Sequence, residues 1–344
     1  MPSTTSDRDT MLHATTRRLI PPLAIGIIVA FAFVSLFTAA LHNPRPNDLN
    51  VGVVGAPGLQ RGLQQRLDLA APGAFVLERQ ESEASARREV LDHDVQGAII
   101  ATGPRPKLLV AGAAGPATGE ALRSAFGALA AARGQPLAVE DLRPLPQHDS
   151  PGLSAFFTIA GTTVSSLLFG IALFVSARRV PTMARLAAVA TFAGLVGVTV
   201  ALAVDPLVGA MSGAFWSIAG LAALLALAVA LPVAALSRLI GPPGIGLAAL
   251  VLLLVALPST GGPIGYQFLP DFYTTISQAL PSGSALTAVR NAVYFGGANT
   301  LAPILVLIAW ALSGLLGEIV AAGVHRARST RSRTRVARAT PVAS

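Results

Sequence analysis

Five runs of apolar residues, 153–175, 186–204, 214–236, 240–257 and 301–324, restrict this chain more than any other feature. The first carries no charged residue, and a hydrocarbon core about 30 Å thick is crossed by roughly 20 helical residues at about 1.5 Å each. A sixth run, 19–41, follows a polar segment, 1–18. A water-soluble core has no need of six such segments. Composition agrees, with 53% hydrophobic and 12% charged residues, against about 25% charged in an ordinary globular domain. The expected fold class is mainly α: a polytopic six-helix membrane protein with an extracytoplasmic α/β domain between the first and second spans.

Charge placement orients the spans. A net charge of +8 would point a soluble protein toward nucleic acid. Here the segments expected inside hold thirteen arginines, among them Arg17, Arg18, Arg178, Arg179, Arg185 and Arg238, against Asp7 and Asp9. The segments expected outside hold twelve basic and fourteen acidic residues. That asymmetry is the positive-inside pattern, so the lipid bilayer replaces nucleic acid as the partner and both termini are expected in the cytoplasm. The run 19–41 is longer than the roughly 7–15 residues of a cleaved signal, which favours an uncleaved anchor. The expected map is a cytoplasmic N-terminus (1–18), a first span (19–41), an extracytoplasmic α/β domain (42–151), a five-helix transmembrane domain (152–324) and a basic cytoplasmic tail (325–344) suited to anionic lipid.

Several chemistries are excluded. The chain has no cysteine, so disulfides, thiol nucleophiles and thiolate metal sites are impossible. Its one lysine, Lys107, follows Pro106 and cannot serve a phosphate-binding glycine loop. The five histidines fall in separate segments, without metal-ligand spacing. No serine sits in a Gly-x-Ser-x-Gly elbow. No catalytic, cofactor or metal site is expected, and the chain does not read as an enzyme.

Within 42–151 the periodicity changes. The segments 50–55, 74–78, 97–101, 107–111 and 137–142 read as short strands. Leu59, Leu63 and Leu67 share one helix face, Ser82 can cap a second helix carrying Ala86 and Val90, and 116–133 reads as a third with Leu122 and Phe126 inward. The proline-rich linker 143–152 then leads to the second span.

The stretch 258–300 holds all three tyrosines, Tyr266, Tyr273 and Tyr294. Leu269, Phe272 and Ile276 are spaced for one helix face, as are Leu286, Val289 and Val293, with Pro281 and Gly283 at a corner between. Two short helices dipping from the outer surface are expected, forming a re-entrant or interfacial element. Tyr266, Phe272, Tyr273, Arg290 and Tyr294 are its candidate outer gate residues; a plain interfacial loop is the alternative.

The Ser-Thr-Gly-Gly-Pro turn at 259–263, Leu269-Pro270-Asp271-Phe272, Leu280-Pro281-Ser282-Gly283 and Ala288-Val289-Arg290-Asn291 together resemble type-2 ATP-binding-cassette (ABC) permeases and their Pip-like (phage-infection-protein-like) relatives. The order of parts is similar too, with an outer domain opening on Val51-Gly52-Val53-Val54. The resemblance implies a bacterial permease subunit, working as a homodimer or with a sister permease. It would export hydrophobic or amphipathic compounds with a separate cytoplasmic ABC ATPase. Such permeases meet the ATPase partly through the loop between the second and third spans, which here is the short segment 176–185. The alternative is a non-transporting receptor or scaffold whose external domain binds a cell-envelope partner.

Two features inside the spans invite a role. Ser154, Thr158, Thr162 and Ser165 form a hydroxyl stripe that either packs helices or lines a substrate path. Glu318 is the one acidic residue well inside a span, and an intramembrane carboxylate is expensive. It is expected to pair with Arg326 or Arg178, or to act on protons or substrate.

Overall fold

The computed structural model describes residues 4–149, 152–177 and 180–339, with side chains described over 23–149, 152–177 and 180–324. The architecture is mainly helical, and among the described residues six helices are long and apolar enough to cross a membrane: Leu23–Leu41, Ser154–Ser176, Thr182–Leu207, Phe215–Ile240, Pro242–Ser259 and Leu301–Val324. This is a polytopic membrane protein.

The first span belongs to α1 (Thr4–Leu41). Between it and the second span lie β1 (Leu49–Val54), α2 (Leu59–Ala70), β2 (Phe75–Arg79), α3 (Glu83–Leu91), β3 (Gly97–Ile100), β4 (Lys107–Val110), α4 (Pro116–Ala131) and β5 (Ala138–Asp141). They form one five-stranded sheet in the order β2-β1-β3-β4-β5, antiparallel only between β3 and β4. The central strands are apolar because both sheet faces are covered. Leu49, Val51 and Val53 meet Leu63, Leu67, Leu122 and Phe126 from α2 and α4. On the other face Ala98 and Ile100 meet Ala86 and Val90 from α3. Ser82 caps α3 by accepting the Ser85 N–H at 3.1 Å.

The remaining helices are α5 (Ser154–Ser176), α6 (Thr182–Leu202), α7 (Phe215–Ile240), α8 (Pro242–Ala249), α9 (Ala256–Ser259), α10 (Asp271–Ser277), α11 (Pro281–Tyr294) and α12 (Leu301–Ala339). A π-helical turn, Ala203–Leu207, extends α6, and another, Leu250–Val255, joins α8 to α9 in the fifth span. The hub is α7: 78% of its most apolar window is buried, against 6% for α1. It packs on α5, α6, α11 and α12. Glycine makes these approaches possible, since a Cβ on Gly197 would strike the Ala219 carbonyl and one on Gly314 the backbone of Pro232. Lipid covers what α7 does not, so α1 leaves Ile25, Ile28 and Phe31 on its surface and is held to the rest where Tyr273 donates to the Leu36 carbonyl at 3.1 Å.

Helices α10 and α11 form a hairpin that enters from the sheet-bearing face. Its corner is located by two contacts. Thr163 and Ser282 bring their hydroxyls to 3.1 Å, and the Trp310 indole N–H donates to the Ala279 carbonyl at 2.9 Å. Thr163 lies nine residues into α5 and Trp310 nine residues into α12, a depth of about 14 Å in each case. The corner therefore reaches close to the middle of a roughly 30 Å core. Positions 281–286 and 288–291 of α11 are all buried, as befits a helix enclosed by protein rather than lying on a surface.

Candidate functional site

Two polar clusters interrupt this apolar body, one toward each membrane face. On the face away from the sheet, Glu318 is 1% exposed and takes two guanidinium groups. Arg185 Nη2 donates to its Oε1 at 3.0 Å and Arg238 Nη1 to its Oε2 at 2.8 Å. Arg185 Nη1 also donates to the Leu173 and Ala177 carbonyls at 3.3 and 3.1 Å, at the C-terminal end of α5. Those carbonyls carry the partial negative charge of the helix end. Four helices, α5, α6, α7 and α12, are thus tied at one point. Gly317, whose Cβ would come within 2.8 Å of Ala235, lets α12 approach α7 closely enough for the contact.

This corrects one expectation and adds to another. Arg185 does not end an exposed loop; it lies in the first turn of α6, 3% exposed. Among the described residues the partners of Glu318 are Arg185 and Arg238; the expected partners, Arg178 and Arg326, have side chains outside the described residues. Spacing could not reveal this, because the three residues belong to separate helices brought together by packing on α7.

The hydroxyl stripe turns inward on itself. Thr158 donates to the Ser154 carbonyl at 2.7 Å, Thr162 to Thr158 at 2.8 Å and Ser165 to Thr162 at 3.0 Å. Such bonds satisfy a hydroxyl without linking helices. The inter-helix link comes from Thr163, beside the stripe.

The second cluster lies where the sheet unit meets the α10–α11 hairpin. Phe268 and Ile264 join the core beneath α2 and α4, and Phe295 joins the core beneath α3. Polar bonds close the seam. His93, at φ 61°, stacks on Phe295 with ring centroids 4.3 Å apart and its Nδ1 lies 2.7 Å from Asn291 Oδ1. Asn299 Nδ2 donates to the Asp92 carbonyl at 3.2 Å and to Asp94 at 2.8 Å. Burial holds the His93 imidazole below its ordinary pKa, which favours the neutral ring.

At this seam is a cavity of about 310 Å³, within the range of about 300–1,000 Å³ usual for small-molecule sites. Its wall includes Gln96, Tyr266, Gln267, Thr287, Arg290 and Asn291, and Ala302, Pro303 and Val306 of α12 close its apolar side. Arg290 is 8% exposed and donates to the Gly262 carbonyl at 3.1 Å, bracing the glycine turn. Among the described residues no carboxylate lies within ion-pair distance of it. Burial lowers its pKa to about 10, so it remains charged at neutral pH. Asp149 is near but committed elsewhere: its Oδ1 accepts the Leu153 and Ser154 N–H groups at 3.0 and 3.2 Å, capping α5. Tyr294 is pushed up to about 12 by burial and then by Asp149, and its hydroxyl approaches that carboxylate without completing a hydrogen bond of good geometry.

The five candidate gate residues therefore separate. Tyr266 and Arg290 line the cavity, and Tyr294 lies beside Arg290 and Asp149. Tyr273 is spent on α1. Phe272 points away, 63% exposed. The face spacing of 269, 272 and 276 misleads because α10 begins only at Asp271, and Tyr273 and Ser277 form its buried side. His93, Asn299 and Asp149 carry no sequence signal for the seam; each is an isolated polar residue until the sheet unit folds down on the hairpin. No family model, curated protein or solved structure matches the chain.

Proposed function

We propose that this chain is the permease subunit of an exporter that moves amphipathic compounds across a bacterial cytoplasmic membrane, with the sheet unit outside and both termini in the cytoplasm. The observation that carries the reading is the cavity of about 310 Å³ between the sheet unit and a hairpin reaching the middle of the membrane. A compartment walled by polar groups on one side and by α12 on the other suits a molecule with a polar head and an apolar body. The excess of arginine on the opposite face supports the orientation.

Energy would come from a separate ATPase, and the chain would act with a second permease copy or a sister subunit. The connections on the face away from the sheet are short, five residues between α5 and α6 and Gly241 alone between α7 and α8. An ATPase would accordingly engage α1 and α12, which continue as helices beyond the apolar windows. The same short turns favour one second reading, a non-transporting receptor or scaffold whose sheet unit holds a cell-envelope partner.

Inverted vesicles carrying the chain together with candidate cassette ATPases distinguish the two. Export predicts ATP-dependent uptake of a lipophilic fluorescent dye that disappears when the chain is omitted. Equal uptake with and without the chain contradicts it and leaves the scaffold reading.

A further inference from the structure

We propose that the seam cavity is a binding site for an anionic group, a carboxylate or phosphate, held by Arg290. The assignment goes beyond transport and does not rest on it, because it concerns binding alone.

Three observations converge. The first is charge. Arg290 is 92% buried in a wall of the cavity, with one backbone carbonyl as its hydrogen-bond partner and no ion pair among the described residues. A guanidinium presents five donors in a planar fork suited to two oxygens of one anion. The nearby carboxylate, Asp149, is turned to the α5 N-terminus, and His93 is held neutral by burial. The second is unused donors. Thr287 and Gln267 line the same cavity, and their side chains make no hydrogen bond to other described residues. Thr287 stands one turn before Arg290 on α11, so both side chains present to one face. The third is shape. The same cavity is also lined by Ala302, Pro303 and Val306 at the start of α12, whose neighbours Leu301 and Leu305 are 70% and 54% exposed. A head group in the cavity would have its apolar remainder directed past α12 toward lipid.

Arg185 and Arg238 stand in contrast. Those guanidiniums meet a carboxylate of this chain, and Arg290 meets a space.

The test uses the full chain in nanodiscs of phosphatidylcholine, titrated with decyl phosphate, inorganic phosphate and decyltrimethylammonium by calorimetry. Saturable binding of decyl phosphate is expected. It should weaken by about tenfold or more in Arg290→Gln and in Thr287→Glu, which supplies an internal carboxylate one turn from Arg290, and by less in Arg290→Lys, which keeps the charge without the planar fork. Inorganic phosphate binding with the same dependence on Arg290 supports a soluble anion; binding of decyl phosphate alone supports a lipid head group. Equal decyl phosphate affinity in wild type and Thr287→Glu overturns the proposal, as does preference for the cationic amphiphile. Size-exclusion profiles identify any variant that fails to fold, and Thr287→Glu with Arg290→Lys keeps the test decisive if Arg290→Gln does. Transport is not read in this experiment, so absence of dye export with intact binding would remove the exporter reading and leave the anion site standing.

Discussion

The two buried polar clusters use the same side chain to opposite ends. Around Glu318, two arginines from α6 and α7 meet a carboxylate from α12, and Arg185 Nη1 reaches two carbonyls at the end of α5. Around Arg290 a single guanidinium faces a cavity and leans on one carbonyl. A buried charge that is paired acts as a registration device for the helices that carry it, and breaking such a pair strands the partner. A buried charge beside space has its counter-charge still to come. The first cluster explains why four helices stay in one arrangement, and the second marks where a ligand can enter.

The sharpest way to break this comparison is to remove the shared carboxylate. Glu318→Ala strips the carboxylate from Arg185, whose side chain is 3% exposed, and should destabilise the protein by about 3–5 kcal/mol, read as a large fall in the thermal unfolding midpoint in detergent. Replacing Arg185 together with Glu318 by leucines should recover much of the loss; a double variant worse than Glu318→Ala would refute the clamp. Next in size is packing. Gly317→Leu forces α12 away from Ala235 and should cost about 1–3 kcal/mol in the same assay. Arg290→Gln should change stability by only about 1 kcal/mol, since it loses one hydrogen bond but also a desolvated charge. A fall as large as that of Glu318→Ala would make Arg290 structural. Smallest is Thr163→Val, which removes the Ser282 contact at the hairpin corner for about 0.6 kcal/mol.

The seam should also respond to pH. Burial lowers the folded-state pKa of His93 from the ordinary 6.5, so the unfolded or undocked chain binds the proton more readily. Docking stability is then fully present above about 6.5 and falls as pH drops below it. Amide protection factors around Asn291 and Asn299, corrected for the intrinsic slowing of exchange at lower pH, should fall from pH 7 to pH 5, and His93→Gln should flatten that change.

How much of this was legible in the sequence depends on the range of the interaction. Local period was enough for the spans and the strands, because a bilayer demands about 20 apolar residues and a covered sheet demands alternation or continuous apolar runs. Capping was equally legible at Ser82. The clusters were not, because their partners are far apart in the chain: Arg185 and Glu318 by 133 positions, His93 and Asn291 by 198. Glu318 stood out alone as an intramembrane acid, yet nothing local named its partners. Phe272 misled because a helical spacing was projected across Pro270, where α10 had not begun. The hydroxyl stripe was visible, but its bonding to its own carbonyls was decided by rotamer and not by spacing.

One experiment sets the two clusters directly against each other: thermal unfolding of the full chain in phosphatidylcholine nanodiscs, with and without decyl phosphate, for wild type, Glu318→Gln and Arg290→Gln. A ligand that binds only the folded state raises its midpoint. The account predicts that Glu318→Gln lowers the ligand-free midpoint and keeps the upward shift, whereas Arg290→Gln keeps the midpoint close to wild type and loses the shift. The reverse pattern, with Arg290→Gln unfolding early and still responding to ligand, would contradict it.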